Sequence, residues 1–218
     1  MKLGILGGTF DPIHFGHLRI AEEIGEELEL EKVFLIPGGL PPHKARKTIT
    51  PFHDRLAMTR LATQDSPLLE VLDLEGRREG PSYSIETLRE IRNIFDNDVE
   101  IYFIIGMDAF LDIKTWKEYK NLFNDTNFVV LKRPGFSFGE LELFILSLGV
   151  DFKMVNNRNI FAIPSGNLII YKEATLMDIS STRIREMSAA GRSIRFLVPE
   201  QVRAYIIEKG LYGINGHS

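Results

Sequence analysis

Two histidines, His14 and His17, are the residues whose type and spacing most clearly suggest chemistry in this sequence. They follow the turn Gly7-Gly8-Thr9, which joins an apolar run at 3–6 to a predicted helix. In an open α/β sheet, the turn after the first strand faces the ligand crevice. A helix start carries unpaired N–H groups and about half a positive charge, and both favour phosphate. Two imidazoles on one side of this turn could donate to phosphoryl oxygens, so the turn predicts a phosphate site.

Two other interpretations of the histidine pair are weaker. Ordinary histidines can stand at a helix entry, where one of them would cap the helix. A His-x-x-His pair could also begin a zinc site, but no third ligand stands at a recognisable spacing. Phosphate binding explains the preceding glycines, whereas zinc binding does not.

A second motif, Ser180-Ser181-Thr182-Arg183-Ile184-Arg185, stands near the other end of the chain. Its hydroxyl residues are good N-cap types, so the motif could belong to an ordinary capped surface helix. It could also place a second helix start, with hydroxyls and Arg185, against phosphate. Because a triphosphate needs donors from two sides, the two motifs together favour the second interpretation.

Three more residues have both a structural and a functional interpretation. Lys44, after Pro41-Pro42-His43, is either a solvated surface lysine or a loop cation that reaches a phosphate. Trp116, the only tryptophan, is either a core residue or a stacking platform for an aromatic ring. Asp108, after a predicted strand, could accept from a sugar hydroxyl or cap the next helix.

His53-Asp54 suggests a metal phosphohydrolase pair, but no other His or Asp pattern supports it, so we interpret it as structural.

Strand and helix patterns alternate along the chain, which predicts an α/β fold with a parallel sheet. The segment 51–63 is predicted to be a helix because Leu56, Met58, Leu61 and Ala62 recur at roughly helical spacing. Loops are expected at 38–50, 75–82 and 149–167. The predicted strands are 2–7, 32–37, 70–74, 100–106, 128–132 and 168–171, and the predicted helices are 17–28, 51–63, 84–95, 139–148, 182–190 and 199–209.

The composition is that of an ordinary globular protein. The chain has 218 residues, 44% of them hydrophobic and 26% charged, and no linker divides it, so we expect a single domain over 1–218. Within it, 180–212 is expected to form a small helical part with the second phosphate motif. A net charge of -4 weighs against nucleic-acid binding, and the absence of cysteine excludes thiol catalysis and disulfides. With no signal-like or membrane-spanning run, we expect a cytoplasmic protein.

With both motifs in view, the chain resembles the nucleotidyltransferase superfamily. Among its members, it is most similar to the nicotinate-nucleotide adenylyltransferases. The similarity covers nearly the whole chain, since further matching segments occur in the family's order. These are Pro41-Pro42-His43-Lys44, Gly80-Pro81-Ser82-Tyr83, Phe103-Ile104-Ile105-Gly106, Thr115-Trp116, Lys132-Arg133-Pro134-Gly135, Leu197-Val198-Pro199-Glu200 and Gly210-Leu211-Tyr212.

The resemblance implies a Rossmann-like fold and an Mg²⁺-dependent reaction of ATP with nicotinate mononucleotide, which gives nicotinate adenine dinucleotide and pyrophosphate. It also implies a role for each matching residue. Catalytic contacts to the ATP phosphates would come from His14, His17, Lys44 and Arg185. Other nucleotide contacts would come from Gly8, Thr9, Phe10, Gly106, Asp108, Ser181 and Thr182. The pyridine nucleotide would be bound by Ser82, Tyr83, Ser84, Trp116 and Arg133, and Mg²⁺ would be held mainly by substrate phosphates.

Two alternatives and two departures accompany this resemblance. Another member of the superfamily, such as a pantetheine-phosphate adenylyltransferase, is the nearer alternative, although those chains are shorter and Trp116 argues against it. A non-catalytic nucleotide sensor on the same fold is the other. The family often has Thr at the position of Ser84, which keeps the hydroxyl, and 149–167 matches no family pattern. The expected preference for nicotinate over nicotinamide depends on the resemblance alone.

Overall fold

A computed structural model describes residues 1–39, 49–95, 98–155 and 159–213. Within these ranges the strands form one eight-stranded sheet, in the order β3-β2-β1-β4-β5-β8-β7-β6. The strands are β1 Lys2–Gly8, β2 Lys32–Pro37, β3 Leu69–Val71, β4 Glu100–Gly106, β5 Asn127–Leu131, β6 Lys153–Met154, β7 Ile160–Ala162 and β8 Leu168–Lys172. All six predicted strands are present, although β3 ends earlier than expected because Leu74 begins a short 3₁₀ helix, Leu74–Arg77.

The six strands that were predicted, β1 to β5 and β8, run parallel, as expected for an α/β fold. From β1 the chain proceeds outward through β2 to β3, and then returns to place β4 on the other side of β1. The strand order therefore reverses between β1 and β4. In open α/β sheets, ligands bind at the carboxyl ends of the strands beside such a reversal.

The segment 149–167, which was predicted to be a loop, contains two short strands. β6 and β7 pair antiparallel with each other, and β7 pairs antiparallel with β8. The sheet is therefore mixed at this edge rather than parallel throughout. The prediction was wrong here because both strands are only two or three residues long, too short to show an alternating pattern.

The helices lie on both faces of the sheet. All six predicted helices are present, and two short ones, α4 and α5, were missed because each spans less than about two turns. The bounds are α1 Phe15–Glu27, α2 Phe52–Thr63, α3 Ser84–Phe95, α4 Met107–Leu111, α5 Tyr119–Asp125, α6 Phe138–Leu146, α7 Ser181–Ala189 and α8 Glu200–Glu208. No helix in the described part of the chain is long and apolar enough to cross a bilayer.

Two apolar clusters cover the two faces of the sheet. Alternate residues of one strand enter different clusters: in β4, Phe103 and Ile105 face α3 to α6, whereas Ile104 faces α1, α2, α7 and α8. Because both faces are buried, the strands are apolar throughout rather than alternating. This arrangement leaves the strand ends as the sites where polar side chains can meet.

The buried face of α2 is largely polar. Besides Met58, its buried residues are Asp54, Arg55, Thr59 and Thr63, whereas the expected apolar residues Leu56, Leu61 and Ala62 are only partly buried. Thr59 Oγ1 donates to the Arg55 carbonyl at 2.7 Å, so part of this face is satisfied within the helix. The apolar spacing correctly predicted a helix but not its orientation.

Candidate active site

A cavity of about 360 Å³ opens at the carboxyl ends of the central strands. It lies beside the reversal in strand order, since β1 and β4 both contribute lining residues. The cavity brings together most of the predicted site residues, from segments far apart in sequence. Its predicted lining residues are Gly8, Thr9, His17, Ser82, Ser84, Gly106, Asp108, Trp116 and Arg133.

The glycine-rich turn after β1 is closely packed. A Cβ placed on Gly8 would lie 2.6 Å from Cε1 of Phe10, so only glycine fits there without movement of the ring. Phe10 has a φ of 49°, in the left-handed region, and its side chain is buried. The Phe10 ring meets His17 edge to face, with centroids 5.0 Å apart. Contact of Phe10 with a nucleotide would therefore have to come from its backbone, as the resemblance implied.

His14 and His17 stack on each other at the start of α1. Their ring centroids are 3.7 Å apart with an interplanar angle of 23°. The backbone N–H of His14 donates to His17 Nδ1 at 3.3 Å. Because Nδ1 accepts this hydrogen bond, a neutral His17 carries its proton on Nε2. His17 lines the cavity, so the ring contributes a donor to the site without needing to be charged.

Both imidazoles are neutral at pH 7. Burial lowers the pKa of His14 to about 4, with the charge of Arg133 acting in the same direction. Burial also lowers the pKa of His17 well below its usual value, with His14 and Arg133 as further causes. A bound polyanion would oppose all of these effects, because it favours the protonated form.

The lowered pKa of His14 predicts that the protein is less stable in mild acid. The unfolded chain takes up a proton near pH 6.5 and the folded chain only near pH 4, so stability present above pH 6.5 is lost as the pH falls. At pH 5 the loss from His14 alone is about 2 kcal/mol, and His17 adds to it in the same direction. Urea unfolding at pH 7 and pH 5 measures the difference. His14→Gln should reduce it by about 2 kcal/mol, and an unchanged difference in this variant would contradict the assignment.

The start of α7 lies directly against the turn that contains the histidines. Ser181 Oγ donates to the Pro12 carbonyl at 2.8 Å, and Arg185 Nη1 donates to the Asp11 carbonyl at 2.6 Å. Ser180 caps the helix by accepting from the Arg183 N–H at 3.2 Å. The structure therefore brings the two predicted phosphate motifs together. Arg185 and Thr182 are also linked, since Arg185 Nη2 donates to Thr182 Oγ1 at 3.3 Å.

The segment after α8 also reaches this turn. Tyr212 Oη donates to Asp11 Oδ1 at 2.7 Å, and the Thr50 N–H donates to Asp11 Oδ2 at 3.3 Å. Burial and the Asp11 charge raise the pKa of Tyr212 above its usual range, so the phenol keeps the proton that it donates. Asp11 is thus a structural acceptor. Sequence reasoning assigned no role to Asp11, although it lies within the first motif.

At the opposite side of the cavity, Trp116 packs against the apolar core and also lines the cavity. Its ring packs edge to face on Phe103, with centroids 6.1 Å apart. Ser82 and Ser84 line the same wall. Tyr83, predicted beside them, is not among the lining residues; Lys117 Nζ lies 4.7 Å from the centre of its ring. The structure therefore does not bring Tyr83 to the cavity wall with its two neighbours.

Asp108 and Arg133 form the rim of the cavity beyond β4. The Arg133 Nε atom lies 3.6 Å from Asp108 Oδ1, and both side chains are substantially exposed. Gly106, at the end of β4, lies next to them. Lys44, the remaining predicted catalytic residue, lies outside the described residues.

The interpretation of His53-Asp54 as structural agrees with the geometry. His53 is 80% exposed on α2, and Asp54 Oδ1 accepts from Tyr205 Oη of α8 at 2.8 Å. Asp54 thus joins two helices away from the cavity. Within the described residues, no group of three or more His, Asp or Glu side chains could hold a metal ion.

Two charged residues near the site, one of them fully buried, were missed by sequence reasoning. Arg55 is 1% exposed and donates to three backbone carbonyls, those of Thr9, Gly39 and Thr50. Glu75 lines the cavity, and burial raises the pKa of its carboxyl. Because the partners of Arg55 are backbone groups, no side-chain motif in the sequence predicts its position. The one available signal was an arginine within a predicted helix, next to apolar residues at roughly helical spacing.

Comparisons with known proteins agree with this geometry. Residues 5–187 match the cytidylyltransferase-like family. A protein of Syntrophotalea carbinolica, named "Probable nicotinate-nucleotide adenylyltransferase", is 47% identical over 97% of both chains. A relative of the same name in Geobacter metallireducens is 46% identical over 97% of this chain and 98% of its own. Among solved structures, a Plasmodium falciparum nicotinic acid mononucleotide adenylyltransferase complexed with NaAD has a TM-score of 0.75 and 20% identity, over 97% of each chain. That likeness establishes the Rossmann-like fold.

Proposed function

The chain belongs to the nicotinate-nucleotide adenylyltransferases of the cytidylyltransferase-like family, and we propose that it transfers the adenylyl group of ATP to nicotinate mononucleotide. The products would be nicotinate adenine dinucleotide and pyrophosphate. One observation carries the proposal to this chain's own residues. A single cavity has the glycine-rich turn and His17 on one side, and Trp116 with two serine residues on the other.

The proposed reaction needs positioning more than acid–base chemistry. The phosphate of the acceptor is already largely dianionic near neutral pH, since its second pKa is about 6, and it needs no general base. It attacks the α-phosphorus of ATP in line, the bond from that phosphorus to the bridging oxygen breaks, and pyrophosphate leaves. No covalent enzyme intermediate forms. The barrier arises from bringing two polyanions together and from the charge on the departing pyrophosphate.

The residues of the two phosphate motifs would stabilise that charge. The His17 Nε2–H donates to a phosphoryl oxygen, with its orientation set by the His14 N–H at Nδ1. From the other side, Arg185 adds a permanent positive charge beside the start of α7. Lys44 is proposed as a further cation for the ATP phosphates.

Mg²⁺ is proposed as the cofactor, and the donor set suits a cation held mainly by substrate. Among the described residues, the cavity is lined by two carboxylates, Asp108 and Glu75, and Glu75 already accepts hydrogen bonds from the protein. Mg²⁺ commonly binds through one or two carboxylates plus phosphates. When bound, it would neutralise phosphate charge, with Asp108 as the protein residue available to it.

The acceptor side of the cavity would bind the pyridine ring. The indole of Trp116 offers a flat apolar face for stacking, and the Ser84 hydroxyl lies on the same wall. Arg133, at the rim, would lie near the bound nucleotides.

Pyrophosphate release with nicotinate and nicotinamide mononucleotides in parallel tests the proposal. We expect turnover with ATP and preference for the nicotinate form. Because Trp116 is the only tryptophan, its fluorescence reports occupancy of the cavity without turnover, and Trp116→Phe is the control that removes the signal. Fluorescence change on adding ATP, with neither mononucleotide turned over, would favour the sensor alternative. Turnover with 4′-phosphopantetheine alone would favour the other superfamily member.

A further inference from the structure

We infer that Arg55 and Glu75 act together as positioning residues. They hold Gly39 from both sides and thereby fix the distance and orientation of the two walls of the cavity. The inference extends the proposed function, since the two walls are those assigned above to ATP and to the mononucleotide. It concerns residues to which neither motif assigns a role.

Gly39, just after β2, is where the two charged side chains meet. Its carbonyl accepts from Arg55 Nη2 at 3.2 Å, and its N–H donates to Glu75 Oε2 at 3.4 Å. A Cβ placed on Gly39 would lie 2.2 Å from the Glu75 carbonyl oxygen, so the backbones are in direct contact. A side chain at this position would force the two segments apart.

Arg55 extends this connection to the glycine-rich turn. Its Nη1 donates to the Thr9 carbonyl at 2.6 Å, and its Nε donates to the Thr50 carbonyl at 2.9 Å. One rigid guanidinium therefore joins the turn after β1, the residue Gly39 after β2 and the residue Thr50 before α2. Full burial of a charge among neutral carbonyls is costly, and the nearby carboxylates of Asp11 and Glu75 offset that cost.

Glu75 extends the connection to the opposite wall. Its Oε1 accepts from Thr87 Oγ1 at 3.0 Å, in the first turns of α3, and it also accepts from the Ser82 side chain. Arg78 Nη1 donates to the same Thr87 oxygen at 3.0 Å, so the Thr87 proton is directed to Glu75. The carboxylate thereby fixes the wall that contains Ser82 and Ser84. Neither Arg55 nor Glu75 is assigned contact with reacting atoms.

Conservative variants separate positioning from simple structural support. Glu75→Gln keeps the volume but replaces one acceptor oxygen by a donor, and Arg55→Lys keeps the charge but loses the three-way geometry. We expect Glu75→Gln to raise KM for the mononucleotide by about tenfold or more, and Arg55→Lys to raise KM for both substrates. Because both act through Gly39, the double variant should change KM by less than the product of the single changes.

Arg92→Lys is the matched control. Arg92 also joins segments by donating to backbone carbonyls, those of Val99 and Asp125, but neither of these residues lines the cavity. By contrast, Thr9, whose carbonyl accepts from Arg55, does line it. We expect this variant to lower Tm without changing either KM. Hydrogen exchange of the Gly38 and Gly39 amides should accelerate in the two site variants and remain unchanged in the control.

The outcomes distinguish failure of this inference from failure of the proposed function. If Glu75→Gln and Arg55→Lys lower Tm as Arg92→Lys does but leave KM and exchange unchanged, the positioning inference is wrong. If exchange accelerates while both KM values stay at the wild-type level, it is also wrong. If the wild-type protein turns over neither mononucleotide, the proposed function fails. ATP affinity from Trp116 fluorescence then replaces KM, with a loss of about tenfold expected in Arg55→Lys and none in Arg92→Lys.

Discussion

His17→Ala is expected to lower kcat by on the order of 10²-fold or more. The proposed mechanism uses no general base, so its rate depends on donors that stabilise charge on the phosphates. The His17 Nε2–H is such a donor, oriented by the His14 backbone N–H at Nδ1. Steady-state kinetics of pyrophosphate release measures the loss, which should appear in kcat more than in KM because the charge develops in the transition state.

Two amide variants test whether the donor itself matters. A Gln side chain can place an N–H near the position of Nε2, whereas Asn places its oxygen near Nδ1 and keeps only the acceptor for His14. We expect His17→Gln to retain more activity than His17→Ala, and His17→Asn to be as impaired as His17→Ala. His53→Ala is the matched control, because His53 is 80% exposed and lies on α2 away from the cavity. Near-wild-type kcat in His17→Ala would refute the assignment.

Arg185→Gln is expected to lower kcat/KM for ATP by on the order of 10²-fold. It removes a positive charge beside the phosphate motifs and weakens the link to the Asp11 carbonyl. Because the mononucleotide occupies the other side of the cavity in the proposed arrangement, its KM should change little. Varying each substrate at saturating levels of the other separates the two effects.

The neighbouring arginine on α7 provides the control for this prediction. Arg183 is exposed, and its backbone N–H donates to the Ser180 cap. Arg183→Gln removes the same charge from the same helix turn and should leave kcat/KM within about twofold of the wild-type value, as expected of a screened surface charge. Equal losses in both variants would indicate a general electrostatic effect of the helix rather than a contact from Arg185.

Much of the fold could be predicted because its signals are local. Apolar strands buried on both faces, alternating with helices, predicted the sheet, and the two motifs predicted the turns that meet at the site. Ser181 and Arg185 lie against the first turn, as expected from the interpretation that the two motifs act together. The roles of these residues toward substrates remain predictions.

The features that sequence reasoning missed have non-local or backbone causes. Arg55 and Glu75 are held by groups from several other segments, and most of those groups are backbone atoms that any residue could supply. The polar face of α2 is buried because Arg55 and Asp54 have partners in other elements, which a hydrophobic pattern cannot show. The backbone direction at 82–84, which turns the Tyr83 ring toward Lys117, likewise depends on tertiary contacts.

The links from Ser181, Arg185 and Tyr212 to the first turn have a consequence for how the protein is made. These bonds join residues that are 169, 174 and 201 positions apart. During synthesis the glycine-rich turn leaves the ribosome early, and its partners follow only after most of the sheet has been translated. Until then the Pro12 carbonyl and the carbonyl and carboxylate of Asp11 lack these donors. The proposed capacity to hold a triphosphate from two sides would thus be acquired late in translation, after the first and central strands are already available to pair.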